Sequence, residues 1–147
     1  IGPKVALAVV SGSPAADLRR AILLEDHARF QAIPGIGKKT AERIVLVYPT
    51  WSGGLPSHLL GWLHELFDEG VRLGRVRELV AVTTCGSSQF VNRVQGEWGR
   101  RYLRPELLGR CAPGARFRWL CLYKVDRLSR DEMSAHLDRV AQALTRP

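Results

Sequence analysis

The sequence predicts a composite fold: a small block of short helices, then a truncated α/β unit built on a three-stranded parallel sheet with helices. Three observations carry this. Residues 1–43 hold short helical patterns broken by Gly and Pro, with no strand-like run. Residues 44–147 alternate β-branched apolar runs with helical patterns. Between them, "ERIVLVYPTW" (residues 42–51) carries both signals at once. The predicted division is therefore 1–43 and 44–147.

In the first part, the Ala/Val-rich stretch Lys4 to Ser11 reads as a helix ended by Gly12-Ser13-Pro14. Ser13 and Pro14 can cap and open a second helix to about Leu24. A brief third helix covers Asp26 to Ala32, and a fourth starts after Pro34-Gly35-Ile36-Gly37, near Lys38. In the second part the strands are Ile44–Tyr48, Leu79–Thr83 and Phe117–Val125. The helices fall near Ser57–Phe67, Gln89–Val94, Pro105–Arg110 and Arg130–Leu144.

At the join, Ala41, Ile44, Val45 and Tyr48 make a helical stripe, yet Ile44 to Tyr48 is also an unbroken apolar run stopped by Pro49. The run is mostly β-branched and Pro49 blocks further helix, so the strand reading wins from Ile44 and the helix ends near Arg43. Right-handed connections then predict Leu79–Thr83 as the central strand, flanked by the other two. Val45, Val47, Val80 and Val82 are expected to be buried. Ile44–Tyr48 is the open edge, a route to a homo-oligomer.

The 147 residues are 46 % hydrophobic and 24 % charged, a globular balance. A chain opening at Ile1 without a leader reads as a piece of a longer protein. No apolar run reaches membrane-spanning length. Cys85, Cys111 and Cys121 lack C-x-x-C spacing, which predicts reduced thiols and a cytoplasmic protein. His27, His58, His64 and His136 are scattered, so no metal is expected. The net charge of +8 favours polyanions, nucleic acid first.

"IPGIGKKTAER" places Gly35 and Gly37 before a helix N-terminus, with Lys38 and Lys39 in its first turn. Free amides and positive charge there can hold a phosphate without reading bases. The same pattern also fits a plain tight turn with a basic first turn. It is not a Walker A loop, because Ala32 stands where that loop requires glycine. With "IGPKVALAVVSG" and "LRRAILLEDHARFQAIPGIGKKTAERIVL", residues 1–46 closely resemble the tandem helix-hairpin-helix domain of the RuvA family, which binds Holliday junctions. The resemblance implies DNA-backbone contacts from Gly2, Pro3 and Lys4, and from Gly35, Ile36, Gly37, Lys38, Lys39 and Thr40. The helix before the first hairpin and the family's other domains have no counterpart in the sequence.

"YPTWSGGLPSHLLGWLHELF" and "VAVTTCGSS" are loops that follow strands. Ligands of open parallel sheets bind at such carboxyl ends. Thr83, Thr84, Ser87 and Ser88 can hydrogen-bond a flat ring and Trp51 can wall it, although plain turn loops would look the same. The Pro49-Thr50-Trp51 loop, the Gly61-Trp62 pair, the Thr83-Thr84-Cys85-Gly86-Ser87 loop and "FRWLCLYKVDRLSRDEMSAHLDRV" resemble the C-terminal part of flavodoxin-like NAD(P)H oxidoreductases of the quinone-reductase type. The resemblance implies flavin-ring contacts from Pro49, Thr50, Trp51, Ser52 and Gly53, and from Thr83, Thr84, Gly86 and Ser87. That family's first two strands and its phosphate loop are missing, so neither FMN nor FAD is expected to bind tightly.

The two resemblances overlap at Ile44 to Val47, as in a chimera of unrelated genes. Sequence-independent DNA binding is the first functional expectation. A flavin-dependent reductase is the alternative, and a joined chain with no retained activity is another. Catalytic residues are not identifiable.

Overall fold

A computed structural model describes residues 42–145. The helix expected at Lys38 to Arg43 therefore lies largely outside the described residues, as do the preceding helices and every hairpin position. Glu42 is in a turn and Arg43 already opens a strand, so the join is extended rather than helical.

The order of elements is β1 (Arg43–Pro49), α1 (Ser57–Asp68), β2 (Glu78–Cys85), α2 (Gln89–Val94), α3 (Trp98–Glu106), β3 (Arg116–Tyr123) and α4 (Arg130–Thr145). The sheet is parallel with order β1-β2-β3. Its register pairs Val45 with Val80 and Val80 with Arg118. The three strands and their adjacency agree with the sequence expectation. Each begins one residue before its expected start; β1 and β2 run one and two residues past their expected ends, whereas β3 stops at Tyr123, after which Lys124 takes a positive φ of 56°.

Two right-handed crossovers that step in the same direction must place both connections on one face. That face carries Leu46, Tyr48, Leu79 and Ala81, packed against Leu63 and Leu66 of α1 and Leu103 of α3. Leu63, Leu79 and Leu103 are fully buried. Helix α1 ends in a Schellman motif: Val71 N–H donates to Leu66 O at 3.1 Å and Gly70 N–H to Phe67 O at 3.0 Å, with Gly70 at φ +67°.

Among the described residues the opposite face has only α4, which packs on β3. A capping box starts α4: Ser129 Oγ accepts from Glu132 N–H at 3.2 Å, and Glu132 Oε2 accepts from Ser129 N–H at 2.8 Å. One helix cannot cover three strands, and this corrects the expected burial of four valines. Val80 on the central strand is buried, Val45 and Val82 are half-buried, and Val47 is 76 % exposed. The buried residues of β1 are instead Leu46 and Tyr48.

The helix expected at Pro105–Arg110 is also displaced. Helix α3 begins at Trp98, Pro105 sits in its last turn, and Leu108–Arg110 form a 3-10 turn. Glu97 at φ 43° and Gly96 at φ 89° separate α2 from α3 and set that earlier start.

On the α4 face, buried Glu78 lies between two arginines. Arg118 Nε is 2.8 Å from Oε1, and Arg43 Nε contacts Oε2. The contacts are ion pairs by distance rather than aligned hydrogen bonds. The same arginines donate to the last carbonyls of α4: Arg118 to Ala143 O at 2.6 Å and Arg43 to Leu144 O. Glu78→Gln should cost about 3–5 kcal/mol, because it leaves two partly buried guanidinium groups short of their counter-charge. Denaturant unfolding monitored by circular dichroism measures this. Leu63→Ala should cost about 2–5 kcal/mol in the same assay through the cavity it opens under the sheet.

Candidate functional site

The carboxyl ends of the three strands meet at one edge of the sheet. After β1, Trp51 and Gly54 exchange backbone hydrogen bonds of 3.2 and 2.8 Å around Ser52 (φ 48°) and Gly53 (φ 78°). Two successive positive φ angles define a tight turn that a glycine makes affordable. Thr50 N–H donates to Thr84 O at 2.9 Å and ties this turn to the end of β2. After β2, Ser88 caps α2 by accepting from Val91 N–H at 3.3 Å. Buried Asn92 donates to Ser87 Oγ at 2.7 Å and to Ser88 O at 2.9 Å, which fixes the second loop from below.

A cleft of about 690 Å³ opens between the two loops, lined by Ser52, Gly53, Gly54, Ser87, Gln95 and Trp98. Its size suits a small organic ligand. Trp98 stacks on Tyr102 with centroids 5.0 Å apart, and its ring lies 3.0 Å from where a Cβ on Gly54 would stand. A larger residue at position 54 would require the Trp98 ring to give by a few tenths of an ångström.

Of the residues expected at a flavin ring, Ser52, Gly53 and Ser87 line this cleft. Trp51 is 57 % exposed. Thr83 is buried with its hydroxyl 3.0 Å from that of Thr50, so this pair is turned inward. Pro49 and Thr84 are paired in register, on the α4 face of the sheet. Gly86 faces Asp126, whose Oδ2 would be 2.9 Å from an added Cβ. Gln95 and Trp98 were missed by sequence reasoning; Gly96 permits a break there, but the start of α3 is set by the positive φ at Glu97. The DNA contacts expected at Gly2, Pro3, Lys4 and Gly35 to Thr40 lie outside the described residues.

Beside the cleft lies a thiol cluster that sequence spacing did not show. Cys85 ends β2 and Cys121 lies in β3, with the two Sγ atoms 3.0 Å apart. Thr50 Oγ1 is 3.3 Å from Cys85 Sγ. Hydrogen bonds from Cys121 and Thr50 lower the Cys85 thiol to about 6, against burial and the Glu97 carboxylate, which raise it. The Cys121 thiol is pushed up, first by its hydrogen bond to Cys85 and then by burial. Burial also raises the neighbouring Tyr48 hydroxyl.

At the other end of the strands, a basic groove of about 790 Å³ is lined by Arg72, Arg104 and Arg110. The Arg110 guanidinium stacks on Phe67 at 4.3 Å. No helix among the described residues is long and apolar enough to cross a membrane.

Comparison with known proteins gives a sequence match at one end of the chain and a fold match over most of it. Residues 1–47 match the SAM-like helix-hairpin-helix tandem family. Over 46 residues the chain is 59 % identical to the Holliday junction branch migration complex subunit RuvA of Desulforamulus reducens, covering 31 % of this chain and 23 % of that protein. The RuvA subunit of Burkholderia mallei is 54 % identical over 46 residues, 31 % of this chain and 24 % of its own length. The chain thus spans about a quarter of the length of the curated relatives it matches.

Two solved structures share the fold. Smu.1420 from Streptococcus mutans aligns with a TM-score of 0.59 at 20 % identity, over 85 % of this chain and 69 % of its own. An NAD(P)H:quinone oxidoreductase from Methanothermobacter marburgensis aligns with a TM-score of 0.56 at 19 % identity, over 97 % and 70 %. The flavodoxin-like α/β architecture is therefore present in the chain, next to a helix-hairpin-helix sequence.

The Cys85 thiolate should form with a midpoint near pH 6, followed by ultraviolet thiolate absorbance. A lowered pKa means the charged form already dominates at pH 7. Thr50→Val should shift the midpoint upward by removing one donor, and Cys85→Ser should abolish the transition.

Proposed function

We propose that the chain binds DNA through the phosphate backbone without reading bases, using its helix-hairpin-helix segment. The observation that carries this reading is the 54–59 % identity to RuvA over 46 residues, alongside a family match over residues 1–47 that includes the whole second hairpin. In this proposal the amides and side chains of Gly35, Ile36, Gly37, Lys38, Lys39 and Thr40 hold phosphates, with Gly2 and Lys4 of the first hairpin beside them. Junction DNA is the preferred substrate and the cytoplasm the compartment. The net charge of +8 favours the same partner.

The proposed units are a hairpin block at 1–43 and a partial flavodoxin-like unit at 44–147, joined as a chimera. The hairpin family match runs to residue 47, whereas β1 begins at Arg43, so five residues satisfy both. Among the described residues no strand pairs with the outer edge of β1, and this edge with exposed Val47 supports self-association. Sedimentation over a range of concentrations reads this out.

The cleft at Ser52, Gly53, Ser87 and Trp98 supports a second reading, a site for a flat ring such as the isoalloxazine of FMN or FAD. The residues fit the ring better than the rest of the cofactor. Glycine backbone, a serine hydroxyl and an indole wall suit a ring, but no phosphate cradle is in evidence among the described residues around the cleft. Bound flavin would supply hydride acceptance from NAD(P)H; the chain's own part would be to orient the ring and exclude water from one side. Titration with FMN should show no submicromolar quenching, and tight quenching lost in Trp98→Ala would raise the reductase reading above DNA binding.

Lys38→Ala with Lys39→Ala should weaken junction-DNA binding and lower the salt slope by about two at most, because two phosphate contacts are removed. An electrophoretic shift assay across a salt series measures both. An unchanged slope would remove the hairpin from the interface.

A further inference from the structure

We propose that Cys85 and Cys121 form a dithiol that hydrogen peroxide oxidises to an intramolecular disulfide. This reaction site is separate from the DNA-binding and ring-binding readings. The geometry that assigns it begins with the contact itself. The two Sγ atoms are 3.0 Å apart on the same face of neighbouring strands, and both cysteines are free. Register pairs Thr83 with Cys121, so Cys85 and Cys121 are diagonal neighbours. Diagonal Cα atoms on neighbouring strands are ordinarily about 7–8 Å apart, just beyond the usual span of a disulfide, so closure requires a backbone shift. Cys85 is the last residue of β2, so the small approach needed for closure falls at a strand end.

A hydrogen-bonded chain prepares Cys85 as the first nucleophile. Thr83 and Thr50 hydroxyls are 3.0 Å apart, and Thr50 Oγ1 is 3.3 Å from Cys85 Sγ. With Thr83 donating to Thr50, the Thr50 hydrogen is left to donate to sulfur. Cys121 donates from the other side. Both donors stabilise a Cys85 thiolate, and its thiol accordingly lies near 6. The thiolate is the reactive form.

Access restricts the oxidant. Cys85 is buried and borders a recess of about 10 Å³, near the least space that holds a water molecule. A bulky disulfide does not fit such a space; hydrogen peroxide, with two oxygens, is larger than one water and requires the recess to widen toward the neighbouring cleft, with which it shares Gly53 and Gly54. The recess is also lined by Trp119 and by Tyr48, whose buried hydroxyl finds no hydrogen-bond partner among the described residues. Such a buried donor suits a small molecule with oxygen acceptors.

In the first step the Cys85 sulfur attacks one peroxide oxygen. An S–O bond forms, the O–O bond breaks, and hydroxide leaves and takes a proton to become water. Cys85 is then a sulfenic acid. In the second step the Cys121 sulfur attacks Cys85 Sγ, forming the S–S bond and breaking the S–O bond. The departing hydroxide takes the Cys121 proton. Two thiols and one hydrogen peroxide give one disulfide and two waters, with the protein oxidised by two electrons and the peroxide reduced. Cys111 provides an internal control. It donates to Leu107 O at 3.4 Å, and burial raises its thiol to about 11.

The test treats the reduced full chain with hydrogen peroxide, quenches it, unfolds it and alkylates the remaining thiols for peptide mass spectrometry. The expected result is a Cys85–Cys121 linked peptide two hydrogens lighter than its reduced parts, reversed by a thiol reductant, with Cys111 still alkylated. The pair should react about tenfold or more faster than Cys111. Cys121→Ser should stop at a dimedone-reactive sulfenic acid on Cys85, and Cys85→Ser should give neither product while keeping the circular dichroism of the parent. Three alkylated thiols after treatment would overturn the proposal. So would oxidised Cys85 without a cross-link in the parent chain, or a cross-link through Cys111.

Discussion

Glu78 is the point on which the three strands and the last helix depend. Its carboxylate is buried at the first position of the central strand, where isolated charge would be expensive. Arg43 from β1 and Arg118 from β3 supply the opposite charge. Each arginine then reaches the final carbonyls of α4, whose C-terminal dipole favours cations. One carboxylate thus fixes the starts of all three strands and the end of the helix on the uncovered side. The pairing also gives Arg43 a role in the sheet at the position where the hairpin-like sequence gives way.

The sheet was legible because its signals are strong and local. Ile44 to Tyr48, Leu79 to Thr83 and Phe117 onward are apolar runs of strand length, and Pro49 excludes a helix through the first of them. Adjacency followed from the handedness of crossovers. The same handedness was not carried through to burial. Both crossovers lie on one face, so Val47 is exposed while Leu46 and Tyr48 are covered. The α3 start was misread: the expected helix opened near Pro105, which lies in the last turn of the observed one. The actual break, at Gly96 and Glu97, depends on a positive φ at a glutamate, which no sequence pattern announces.

The candidate site was partly legible. Loops at strand ends are where ligands of parallel sheets bind, and Ser52, Gly53 and Ser87 do converge on one cleft. Trp98 could not be assigned to it, because its place against Gly54 depends on where α3 begins. The thiol pair was hidden for a different reason. Cys85 and Cys121 are 36 positions apart and meet only when β2 and β3 adopt their observed register. A slip of one residue would turn Cys121 to the other face. Spacing along the chain carries no trace of that contact.

The central claim is that a sequence shared with a helical DNA-binding family is extended at its end by the sheet it enters. Family likeness runs to residue 47, yet residues from Arg43 onward pair with β2. Tertiary pairing there outweighs local helical pattern, since Glu78, Leu79 and Val80 offer partners that an isolated helix would lack. The most direct measurement is nuclear Overhauser spectroscopy on the isotopically labelled full chain. Strong sequential Hα–HN contacts through Arg43–Pro49, with cross-strand contacts between Val45 and Val80, are the predicted result. Sequential HN–HN contacts continuing from Lys38 through Tyr48 would show one unbroken helix and contradict the account.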